Sequence, residues 1–197
     1  MSKPVRAHVS LACIRRPGVA TRAAVAVLAS FALAGCPRPS PRPPGTDGTA
    51  RWAFAIAQPK IAAFAPDAEV RTIAGAPVNL DGRLPANTGS WSFVAWSPTR
   101  STIQVIVNAD GTSSSSQRTD LAPGPGIQQP LPAGWVDSDQ VFAATSGKRD
   151  PAARIADLVV LNVASYTHAP GQAVWAIRFD AGPNQLVAID GTSLGSQ

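Results

Sequence analysis

Two stretches of this chain alternate apolar and polar side chains with a period of two, and each runs from a tryptophan to the same four residues. In the first, Trp91-Ser-Phe-Val-Ala-Trp96 passes through a break at residues 97–101 into Thr102-Ile-Gln-Val-Ile-Val-Asn108, and Asp110-Gly-Thr-Ser113 closes the pair. In the second, Val174-Trp-Ala-Ile-Arg-Phe179 breaks at residues 181–184 and resumes as Gln185-Leu-Val-Ala-Ile189. Asp190-Gly-Thr-Ser193 closes that one. Period-two alternation bounded by Gly, Pro, Asn and Asp is the pattern of half-buried strands joined by tight turns. The spacing from Trp91 to Asp110 exceeds that from Trp175 to Asp190 by no more than one loop absorbs, so the two hairpins read as an internal repeat.

Each hairpin has a helical stretch and another strand ahead of it. Asp137-Ser-Asp-Gln140 has the form of a capping box before Val141-Phe-Ala-Ala-Thr-Ser146, with Gly147 placed to end the helix. Residues 156–164 then form a strand rich in branched side chains. In the first half the alanine-rich residues 50–64 read as helix, with Pro59 expected to kink it or to begin a second short helix. Residues 68–78 are its strand. The serine run 113–116 reads as flexible loop, and the proline-rich residues 119–134 as a connection. The expected architecture is α+β: two helix-plus-antiparallel-sheet units of α-β-β-β order, over 50–118 and 135–197. Trp91 and Phe93 share one strand face, as do Trp175, Ile177 and Phe179, and both sets are expected to pack in a core. An exposed tryptophan left over, Trp96 or Trp135, is the candidate partner surface.

The second unit resembles the PepSY domain of bacterial envelope proteins. The resemblance rests on Asp137-Ser138-Asp139 at the helix start, Ala143 and Ala144 within it, Trp175 opening the middle strand, and the ending Val187-Ala-Ile-Asp190-Gly191-Thr192. Ser193 and Leu194 intervene before Gly195, where the family's ending runs straight on to a glycine. The resemblance covers about 65 residues well and another 60 loosely, and implies a module that binds or restrains peptidases or acts as a non-enzymatic module at the cell surface. It brings no catalytic residues with it.

The N-terminus constrains location. Lys3, Arg6, Arg15, Arg16 and Arg22 precede an apolar stretch from Ala23 to Ala34, the layout of a secretory signal. That stretch is too short for a permanent transmembrane helix, which needs about 20 residues. Leu33-Ala-Gly-Cys36 resembles the lipobox of bacterial lipoproteins. The resemblance implies removal of 1–35 and attachment of diacylglycerol to the Cys36 thiol. Arg15-Arg16 is followed by Pro17 and lacks the apolar pair of a twin-arginine signal, so ordinary export is expected. Residues 36–49 then form the lipidated cysteine and a proline-rich tether, which at about 3.1 Å per residue reaches roughly 40 Å. In the lipoprotein family an aspartate after the cysteine holds the protein at the inner membrane; Pro37 in that place favours the outer membrane in a cell that has one.

The formal charge of +5 belongs to the signal. After Cys36 there are 12 Lys and Arg against 12 Asp and Glu, and a neutral chain lacks the basic surplus that nucleic-acid binding requires. With Cys13 removed and Cys36 acylated, no thiol remains for a disulfide or a metal. The single remaining histidine, His168, sits among Pro and Gly in a loop pattern. There is no Gly-x-Ser-x-Gly, no zinc-ligand set and no EF-hand spacing. Asp81, Asp110 and Asp190 read as turn aspartates, and Asp137 and Asp139 as caps; Glu69 has no evident carboxylate partner.

No cofactor, metal or catalytic residue is therefore expected. The expectation is a lipid-anchored envelope protein acting as a non-catalytic interaction module on a peptidase or another envelope protein. The alternatives are an envelope hydrolase with unidentified residues and a purely structural outer-membrane lipoprotein.

Overall fold

The computed structural model describes residues 47–118, 129–166 and 169–197. The signal, Cys36, the tether up to residue 46, most of the connection and His168 lie outside the described residues.

Helix α1 spans Ala50–Phe64 and is followed by strands β1 (Glu69–Ala76), β2 (Val78–Asn79), β3 (Ser90–Ser97), β4 (Ser101–Asn108) and β5 (Ser113–Arg118). Helix α2 (Ser138–Thr145) precedes β6 (Ile155–Tyr166), β7 (Ala169–Phe179), β8 (Gln185–Ala188) and β9 (Ser193–Ser196). All nine strands belong to one antiparallel sheet, in the order β5-β4-β3-β1-β6-β7-β8-β9, with β2 pairing β6 alongside β1.

That single sheet corrects the expectation of two separate α-β-β-β units of the PepSY kind. The structure is mostly sheet, with two short helices. Its halves are joined where Thr72, Ile73, Ala74 and Gly75 of β1 pair Asn162, Leu161, Val160 and Val159 of β6. Separate units would leave β1 and β6 as open sheet edges; pairing them removes both edges and places their inward side chains in one core. Ile73, Trp91 and Phe93 from the first half share a cluster with Trp135, Phe142, Leu161 and Trp175 from the second.

The alternation seen in the sequence decides which face is buried. Trp91, Phe93, Ala95 and Ser97 point to the helix side and Ser92, Val94 and Trp96 to the other. Helix α1 is continuous through Pro59 instead of breaking there. The carbonyl that Pro59 leaves without a donor belongs to Ala55, and both residues lie on the exposed side, open to solvent. The serine run is strand β5, paired with β4 from Thr102↔Arg118 to Val107↔Ser113, where a loop was expected.

The repeated Asp-Gly-Thr is a turn with the same geometry at both positions. The Asn108 N–H donates to Thr112 O and Gly111 N–H to Asn108 O, at 2.9 Å each. Ala188, Thr192 and Gly191 repeat these bonds at 2.8 and 3.0 Å. Gly111 and Gly191 take φ of 85° and 92°, the left-handed residue that completes a three-residue hairpin loop. The tetrapeptide thus leads each hairpin on to a further strand, β5 or β9, rather than ending it.

Candidate functional site

The N-termini of the two helices meet. Thr49 caps α1 through its hydroxyl, which accepts from Trp52 N. The next two α1 donors reach across to the other half: Ala50 N–H to Ser138 Oγ at 3.0 Å and Arg51 N–H to Asp137 Oδ1 at 2.9 Å. The same Asp137 oxygen accepts the Ser138 N–H at 2.7 Å, and Ser138 Oγ donates to Gly82 O at 2.6 Å. One carboxylate therefore faces the positive ends of both helices. It is shared between them, in place of the reciprocal box with Gln140 expected from the sequence. Arg83 links Asp47, which precedes α1, to Asp139 of α2.

Beside this junction Trp135 is a core residue, 4% exposed, against Phe54 and Trp175 at 5.9 Å between ring centroids. The Arg51 guanidinium lies 4.0 Å over its ring and donates to its carbonyl. A groove of about 450 Å³ starts there and runs along the second half of α1. Phe54, Ile61, Val70, Leu131 and Trp135 line it, with Glu69 at its rim. Leu131 N–H donates to Val70 O at 2.8 Å, fixing the 130–135 segment against the start of β1.

Glu69 also connects the groove to Trp96. A register shift at Arg71 turns that side chain to the face away from the helices. There it pairs Glu69 at 2.7 Å and lies 5.2 Å over the half-buried Trp96 ring. Next to it on the same face, Gln104 donates to Ser92 Oγ at 2.8 Å and accepts from Arg118 at 3.2 Å. The structure thus brings the two tryptophans picked out by sequence to neighbouring surfaces: Trp135 within the groove wall, Trp96 beyond its Glu69 rim. Cys36 lies outside the described residues. The groove itself was not legible beforehand, because Pro130 to Trp135 shows no periodicity.

The carboxylates have structural tasks. Asp110 is held below the usual carboxylate range by the Thr112 hydroxyl and then by the Thr112 N–H, at 2.6 and 2.9 Å. Asp190 is lowered by the Thr192 N–H at 2.9 Å and by the Thr192 hydroxyl, and Asp180 by the Arg154 N–H at 2.9 Å. Asp67 accepts from Ser97 at 2.7 Å and from Thr99 at 3.2 Å, holding the loop after β3. Burial raises Tyr166, whose hydroxyl donates to Asn162 at 3.0 Å. Among the described residues no group of three or more His, Cys, Asp or Glu side chains comes together to hold a metal. No described helix is long and apolar enough to cross a membrane. An aromatic-walled groove, an arginine stacked on an indole and a neighbouring row of amides and hydroxyls are groups suited to contact with another surface. Comparison with known proteins finds no family model, no curated protein and no solved structure that matches this chain.

Proposed function

We propose that this chain is an envelope lipoprotein, anchored through acylated Cys36, whose folded part is a non-catalytic module that binds another envelope protein. The observation that carries the anchoring is Leu33-Ala-Gly-Cys36 directly after five cations and a short apolar stretch. The binding role is supported by how the polar groups are used. Asp67, Asp110, Asp137, Asp180 and Asp190 hold loops, turns and helix ends. The apolar groove beside Trp135 and the Arg71–Trp96 stack supply contact surface.

Anchoring is tested first by intact mass of the cell-derived protein, expected to lack residues 1–35 and to carry a diacylglycerol-type mass on Cys36. Cys36→Ala is expected to move the protein from membrane to soluble fractions; unchanged membrane association rejects the lipid anchor. For the binding role, the full chain is cross-linked in intact cells and its partners identified. Trp96→Ala is expected to lower recovery of a specific envelope protein while the chain keeps its far-UV spectrum and a cooperative melt. Equal recovery from both forms removes Trp96 from the binding surface.

A further inference from the structure

The two ends of the sheet are built differently. At one end β9 is four residues long, carries Gly195 at φ 104°, and shows a register break against β8. Short length and irregularity are devices by which sheets protect an edge from pairing with another chain. At the other end β5 is six residues long and in unbroken register with β4. From Ser113 to Gln117 it carries no charge, no proline and no bulge, and Ser114, Ser115, Ser116 and Gln117 are exposed.

The ladder fixes which backbone groups face outward. Asn108 is hydrogen-bonded across the turn to Thr112, so in the alternating antiparallel pattern Ser114, Ser116 and Arg118 bond to β4. Ser113, Ser115 and Gln117 turn their N–H and C=O groups to the open side. Lys60 Nζ approaches the Ser113 carbonyl at 3.4 Å; Ser115 and Gln117 have no backbone partner among the described residues.

We infer that β5 is a self-pairing edge, which joins a second copy of this chain through a two-fold antiparallel β5–β5 contact centred on Ser115. Matching outward groups to outward groups sets Ser115 against Ser115 of the partner subunit and Ser113 against the partner's Gln117. In that register Arg118 faces the partner's Thr112, so no like charges stand opposite one another. Serine side chains on both faces let the strands approach without a clash. A six-residue edge buries less than the roughly 1,200 Å² typical of a stable interface. The pairing therefore depends on confinement of both copies to one membrane, and so rests on the lipid anchor proposed above.

Cysteine cross-linking of the full chain in membranes tests this. Ser115→Cys is expected to give about tenfold more disulfide dimer than Ser114→Cys. The self-paired position lies within disulfide reach, whereas residue 114 meets its own copy only diagonally, at about 7–8 Å. In a Ser113→Cys, Gln117→Cys double variant, Ser115→Pro is expected to abolish the cross-link. It removes an outward N–H while keeping the β4 ladder and the far-UV spectrum. Equal yields at 114 and 115, or no dimer at either position from a lipidated chain, overturn the edge contact. A parent protein that cross-links through an unmodified Cys36 overturns the anchor instead, and the ratio of 115 to 114 above that background still decides the edge.

Discussion

Gly75 shows how one atom holds the centre of the sheet. It sits on β1 between Trp91 of β3 and Val159 of β6, and the Trp91 ring lies flat against its backbone. A Cβ there would fall 2.4 Å from Trp91 Cζ3 and 2.6 Å from Cε3. Trp91 is fully buried and its indole N–H donates to Gly48 O at 3.0 Å, so the ring cannot swing aside without losing that bond. Gly75→Ala is expected to destabilise the fold by about 1–3 kcal/mol, read as a lower urea midpoint at unchanged slope. At the turns, Asp110 and Asp190 bind protons less readily folded than unfolded. Their contribution is complete above the unfolded carboxylate pKa of about 4 and is lost as pH falls through the depressed folded value. The parent's urea midpoint is expected to fall more steeply below about pH 4 than that of an Asp110→Asn, Asp190→Asn variant. Parallel curves would show that the turn carboxylates carry no linkage.

Among the elements, three hairpin turns carry a left-handed residue at their exit, and one of the three is not glycine. Gly111 and Gly191 end the loops before β5 and β9, while Ser101, one position later in its own turn, is the first residue of β4, paired with Ser97, and takes φ of 72°. A non-glycine residue there costs about 1–2 kcal/mol, and glycine returns some of the gain as backbone entropy. Ser101→Gly is expected to stabilise by about 0.5–1 kcal/mol, seen as a higher thermal midpoint, and Gly111→Ala to destabilise by at least as much. The elements that could be read from sequence are those whose side chains bury something. Trp91-Ser-Phe-Val-Ala-Trp96 and Val174–Phe179 announce their core faces, and residues 50–64 their helix, because a buried face imposes a period. Edge strands β5 and β9 impose none: Ser113–Gln117 covers no core, Ser193–Ser196 contributes only Leu194, against Ala169, Val174 and Leu186, and the Asp-Gly-Thr before each reads as an ending when it is a turn. Trp135 was legible as an aromatic but not as a core residue, because Arg51 and Phe54 come to it from a helix more than 80 positions away in sequence.

At the scale of the whole molecule, the helix and the core strands of each half are locally visible but the union of β1 with β6 is not. Those partners lie about 90 positions apart, and neither strand's pattern says which edge it will meet. The union makes each half depend on the other. Without residues 129–197, α1 loses the Ser138 and Asp137 acceptors of its first donors, β1 becomes an open edge, and Trp91 loses the Trp175 ring that meets it edge-on at 6.4 Å. Without residues 47–118, Asp137 and Ser138 lose the two N–H donors that α1 supplies, and Trp135 loses both the Phe54 ring and the Arg51 stack. Each half alone would also expose inward residues of the shared cluster to water. The two polypeptides 47–118 and 129–197 are therefore expected to lack a near-UV circular dichroism signal and a cooperative melt when separate, and to regain both on equimolar mixing. An isolated half with its own cooperative transition would restore the two-unit architecture that the continuous sheet displaces, and would make the β1–β6 ladder a docking contact between domains instead of the middle of one.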